Sequence, residues 1–198
     1  MKRLLWLICF GALLFTACST TEVKSEWKDT SSKGKIGKVF VLAIVNQPTS
    51  RRAVENGIVN LLNKDRLRAI PTYETFPDVE KIDKALVAQM VQEYGIDGVL
   101  VVRLVNLEVE QTYVGGTYAG NLYPGGWYDY YGAGRAVMLS PGYTIENYTS
   151  TVETVVYSLA TDKILWGTVT DTKENVVPKA IDSYLKTIDK SLAASGLF

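Results

Sequence analysis

Val39-Phe40-Val41-Leu42-Ala43-Ile44-Val45 decides the fold. Seven apolar residues in a row, four of them β-branched, read as a strand covered on both faces, which places it inside a sheet flanked by helices. Working outward, the next segment can be capped by Thr49 or Ser50 and runs to about Lys64, with Val54, Ile58, Leu61 and Leu62 recurring on one helical face. Leu67 to Tyr73 reads as a short second strand closed by Pro71. Val79 to Tyr94 reads as a second helix, stopped by Gly95 where a left-handed cap is required.

Gly98 to Val114 is a long strand that changes character along its length. Val99 to Val102 are apolar on both faces, whereas Val105, Leu107 and Val109 alternate with Asn106, Glu108 and Glu110. Such a strand leaves the middle of a sheet, and at this length it projects, bends or carries a bulge. Tyr143 to Leu159, the turn Ala160-Thr161-Asp162-Lys163, and Ile164 to Thr172 form a hairpin. The last element is an amphipathic helix with Val177, Ile181, Leu185, Ile188 and Leu192 on one side, Pro178 near its start and Gly196 past its end. The expected fold is a single-domain α/β (α+β) sandwich in the order β-α-β-α-β, β-hairpin, α, with a mixed sheet.

Residue types narrow the chemistry. The chain has no histidine and two cysteines, with 21 basic and 21 acidic residues. Serine–histidine triads, cysteine–histidine dyads and most zinc sites cannot be built from it. A balanced charge gives no basic surface for nucleic acid, and no cofactor or metal is expected. Arg51 and Arg52 open the first helix where the helix dipole disfavours cations, so a local salt bridge to Glu55 one turn on is the favoured compensation, with an acidic partner as the alternative.

The amino terminus carries an address. Lys2 and Arg3 precede an apolar run from Leu4 to Phe15, too short for a stable membrane span, and a small-residue exit follows. Phe15-Thr16-Ala17-Cys18 resembles the lipobox of bacterial lipoproteins. The resemblance implies a signal peptide at 1–17, lipidation of Cys18 and cleavage just before it. Residues 18–38 then read as the lipidated cysteine and a flexible polar tether, and 39–198 as a periplasmic domain. Ser19, standing where an aspartate would signal inner-membrane retention, implies the outer membrane, or the cell membrane in a single-membrane host. Trp27 in the tether either rests on the membrane interface or docks on the domain.

Residues 113–143 differ from their surroundings, with seven tyrosines, Trp127 and eight glycines. A connection of this length in a compact domain is usually functional or disordered. Glycine supplies backbone freedom, while tyrosine and tryptophan supply flat contact area at low side-chain entropy. Tyr118, Tyr123, Trp127, Tyr128, Tyr130 and Tyr131 are the candidate interaction residues; the alternative is that their rings merely cover an exposed sheet face.

The order of elements, from the strand ending at Asn46 to the hairpin around Asp162 and Trp166, resembles periplasmic lipoproteins that share a fold with the TolB amino-terminal domain and the curli-secretion channel lipoprotein. That resemblance implies a non-catalytic accessory domain in the bacterial envelope, binding protein partners or assembling with itself. The expected function is therefore a membrane-anchored binding or assembly module acting through the aromatic loop. The alternative is an envelope glycan-binding protein, or a glycan hydrolase using two carboxylates among Glu108, Glu110, Asp129, Glu146 and Glu153.

Overall fold

The computed structural model describes residues 20–31, 35–64, 67–76, 84–114 and 143–198. Its strands are β1 (Thr21–Lys28), β2 (Lys38–Ile44), β3 (Arg68–Pro71), β4 (Gly98–Val114), β5 (Tyr143–Ser158) and β6 (Lys163–Lys173). Its helices are α1 (Pro48–Asn63), α2 (Lys84–Tyr94) and α3 (Val177–Ser195). The strands form one mixed sheet in the order β1-β6-β5-β4-β2-β3, with β2 parallel to β3 and β4 and every other pairing antiparallel.

The β2 run works as its composition demands. Val39, Val41 and Ala43 point to the face covered by α1 and α3, where they join Ile58, Leu62, Leu100, Val156, Trp166 and Ile188 in the main core. Phe40 points the other way, into a smaller cluster with Phe76, Ile96, Val91 and Tyr94 that α2 closes. The helices α1 and α3 approach closely at Gly57, where a Cβ would lie 2.3 Å from Leu185 Cδ1. Gly95 and Gly196 adopt left-handed φ values of 61° and 62°, ending α2 and α3 as expected. Asp162 turns the β5–β6 hairpin with a φ of 54°.

Two expectations need correction. The segment read as a flexible tether contains β1, which pairs with β6 from Thr21–Thr172 to Lys28–Trp166. Its edge is held by Trp166 Nε1 donating to Glu26 Oε1 at 3.0 Å and by the Thr21–Thr172 hydroxyl contact at 2.8 Å. Trp27 lies opposite Gly167 and remains largely exposed. The element order therefore gains a leading strand. The second strand is shorter than Leu67 to Tyr73, because Thr72–Glu74 winds into a 3₁₀ turn once Pro71 has ended the parallel pairing. Of the expected second helix, 79–83 lie outside the described residues.

The long strand keeps its expected limits and carries a bulge between Leu104 and Asn106. Its pairing with β5 continues to Val114–Tyr143, whereas β6 stops at the Thr149–Lys173 pair. Six pairs, Val109–Tyr148 to Val114–Tyr143, thus project past the rest of the sheet as a two-stranded ribbon.

Candidate functional site

At the base of this ribbon lies an open apolar groove of about 800 Å³. Its floor is the sheet, through Val102, Leu104, Leu107 and Val152; its walls are the first turns of α1 and α3, through Val54, Val177, Ile181 and Tyr184. Asn46, Gln47, Ser50, Glu174 and Asn175 form a polar rim. The groove exists because the strands outrun the helices: β4 and β5 continue beyond the point where α1 and α3 begin. Leu107 and Val177, on opposite sides of it, are 52% and 55% exposed.

Hydrogen bonds fix the ribbon's stem to the domain. The Tyr148 backbone N–H donates to Asn175 Oδ1 at 3.0 Å, and the Glu174 N–H donates to the Tyr148 carbonyl at 3.2 Å. Farther out, Gln111 Nε2 and the Tyr148 hydroxyl both donate to the Glu146 carboxylate, at 3.0 and 2.6 Å. These bonds, the tyrosine's first, hold Glu146 below the usual carboxylate range and raise the Tyr148 hydroxyl in turn. On the groove's inner wall the Tyr184 hydroxyl meets Thr154 Oγ1 at 2.7 Å. Burial pushes Tyr184 far up, against the opposing effect of that hydrogen bond, so it stays neutral and serves as a packed wall.

A buried ion pair holds α1 to the sheet. Arg51 Nε donates to Glu55 Oε1 at 2.8 Å, the local salt bridge expected from the sequence. The same oxygen accepts from the Ala43 N–H at 3.1 Å and the Thr72 hydroxyl at 3.1 Å, while Glu55 Oε2 accepts from the Tyr73 N–H at 2.8 Å. One carboxylate thus ties α1 to the end of β2 and to the 3₁₀ turn. Arg52 has a different role, its guanidinium lying 5.6 Å from the centre of the Tyr73 ring.

No protein-family model matches the chain, and no curated protein matches it. Among solved structures, a PelC dodecamer from Paraburkholderia phytofirmans is similar with a TM-score of 0.44 and 9% identity, over 85% of this chain and 94% of that one. The lipoprotein GNA1162 from Neisseria meningitidis is similar with a TM-score of 0.43 and 12% identity, over 80% of this chain and 99% of that one.

The expected site residues fall in two groups. Cys18 and the six aromatic residues Tyr118, Tyr123, Trp127, Tyr128, Tyr130 and Tyr131 lie outside the described residues, as does Asp129. Among the described carboxylates, Glu108 and Glu110 share one face of β4, two residues apart, while Glu146 and Glu153 have polar partners of their own. Glu153 faces Arg103 across β4 and β5, with Oε2 2.7 Å from Nη2. Glu108 faces Thr149, Glu110 faces Asn147 and Glu146 faces Gln111. Among the described residues no group of three or more Asp, Glu, Cys or His could hold a metal ion, and no helix is long and apolar enough to cross a membrane.

Sequence reasoning missed the groove. Its signal was present, in that the first half of β4 is two-sided and the second half one-sided, but periodicity shows which residues share a face and not where helices stop covering it.

Proposed function

We propose that this protein is a lipid-anchored envelope lipoprotein whose domain is a non-catalytic binding and assembly module. The anchor is Cys18, in an outer membrane with the domain in the periplasm. The observation that carries the reading is the apolar groove at the base of the ribbon, with Leu107 and Val177 exposed on either side of it. Water against such surface is unfavourable by about 25 cal/mol for each Å². A two-stranded ribbon is marginally stable by itself. Both features gain by covering the groove with a protein partner or another copy of the chain, and the aromatic segment 115–142 offers further contact area from the ribbon's end.

The test is in-cell crosslinking from a photoreactive residue at Leu107, with and without Val177→Asp. A discrete adduct is expected that Val177→Asp abolishes while the purified domain keeps its melting temperature to within about 2 °C, since the side chain is mostly exposed. A smear insensitive to Val177→Asp, or no adduct, would overturn the reading.

A further inference from the structure

The chain is fixed to the domain from its first described residue onward. The Lys173 N–H donates to the Thr20 carbonyl at 2.9 Å. The Thr20 and Thr21 hydroxyls reach Ser183 Oγ on α3 at 3.0 and 2.9 Å, and Thr21 is 6% exposed. Only two residue steps separate Thr20 from Cys18, a reach of at most about 7 Å. A lipid on Cys18 therefore holds one end of the sheet against the bilayer, because no free tether intervenes.

That end is also where the ribbon leaves. β1 is antiparallel to β6 and β6 to β5, so Thr21, Thr172 and Ser150 lie level across the sheet. Past this level the ribbon continues for six pairs, roughly 20 Å at 3.3 Å per residue. Its end thus passes the farthest reach of Cys18 by more than 10 Å on these lengths. The opposite end carries Lys28, Lys38, Arg68 and Lys163, at the starts or finishes of their strands. These cations would favour an anionic surface, but the 8 residues of β1 place Lys28 about 26 Å from Thr20, and the 11 residues of β6 place Lys163 about 35 Å away. Reach decides the orientation.

We infer that the end of the ribbon is a membrane-contact surface, with Tyr113, Val114, Tyr143 and Ile145 in the headgroup region of the bilayer that holds the Cys18 lipid. The inference rests on the lipid-anchor reading above. Tyr113 and Tyr143 are 69% and 61% exposed, and rings of this kind place an apolar body in the interface and a hydroxyl in water. Ile145 and Val114 belong to the same face of the ribbon, through the pairs Thr112–Ile145 and Val114–Tyr143. Among the described residues the nearest carboxylate, Glu146, stands opposite Gln111, three pairs back from the end. Its charge lies near the level of the farthest reach of Cys18 and limits the contact to the headgroup region.

Depth-dependent quenching tests this on the full-length mature lipoprotein. Cys18 is acylated and Cys9 lies in the removed signal segment, so a thiol introduced by Tyr143→Cys, Ile145→Cys or Lys163→Cys is the sole labelling site. Each variant is labelled with an environment-sensitive dye and reconstituted into phosphatidylethanolamine–phosphatidylglycerol vesicles. Headgroup-level nitroxide lipid should quench the dye at 143 and at 145 at least threefold more than at 163, with a blue shift at the first two alone. Vesicle-bound protein with equal quenching at all three sites would overturn the inference and leave the anchor standing. Protein that fails to float with the vesicles would overturn the anchor, and the inference with it. Using two ribbon sites keeps the test valid if one variant does not fold.

Discussion

Glu55 shows what a single buried charge does in this domain. It is fully buried, and its two oxygens accept from Arg51, Ala43, Thr72 and Tyr73. Two of those donors are backbone N–H groups at the end of β2 and in the 3₁₀ turn, so an apolar replacement would orphan them and take from Arg51 its carboxylate, leaving it the Thr72 hydroxyl at 3.2 Å. Glu55→Gln keeps the shape but removes the carboxylate charge beside the Arg51 Nε and turns an N–H₂ toward one backbone donor. Such a loss costs about 3–5 kcal/mol, a large part of a small domain's stability. Urea unfolding should show the midpoint falling accordingly at unchanged m-value. A loss below about 1 kcal/mol would mean the carboxylate does not hold the junction together. The sequence exposed half of this arrangement: Arg51 in a first helical turn implied Glu55. It could not show Ala43, Thr72 and Tyr73, because those partners are brought in by the parallel β2–β3 pairing.

At the scale of elements, β1 and the ribbon are read from the same signal with opposite success. Thr21-Glu22-Val23-Lys24-Ser25-Glu26-Trp27-Lys28 alternates uncharged and charged residues at period two, the pattern of a strand. Its charges suit an edge strand, where lysine and glutamate discourage further pairing, yet the same charges make the segment resemble a solvated tether. What settles its state is β6, whose Thr172 and Trp166 accept it, and that partner lies some 150 residues away, as in the Thr21–Thr172 pair. The ribbon was legible because its change from two-sided to one-sided burial sits within one continuous run. A protease distinguishes strand from tether. Trypsin should cut the mature protein at Lys24 and Lys28 only as fast as the edge opens, at least tenfold more slowly than in urea-unfolded protein. Removal of the pairing by Thr21→Pro and Val23→Pro together should restore rapid cleavage. Rapid cleavage of the unaltered protein at Lys24 would return β1 to a tether and remove the pinned amino terminus on which the membrane orientation depends.

For the whole molecule, the short distance between Thr20 and Cys18 restricts how copies can meet. If Cys18 carries a lipid, as proposed, the copies share a plane and an orientation, so rotations about the membrane normal are the ones left to them. If the groove of one copy receives the ribbon stem of another, the contact is head-to-tail, because groove and stem are different surfaces of the same chain. A head-to-tail contact repeated about a fixed axis closes into a ring when the rotation divides a full turn, and otherwise gives an open array. Confinement to one surface also raises the effective concentration of copies, so a weak contact suffices. Light scattering on the mature lipoprotein in detergent should therefore give one species with an integral number of chains, stable on dilution over at least tenfold. Val177→Asp, which places a charge on the groove wall, should convert it to the monomer with little change in melting temperature. A monomer at every concentration would exclude self-assembly through the groove and leave it for a different envelope protein. A broad, concentration-dependent distribution would show that the copies meet without the fixed rotation that the pinned amino terminus imposes.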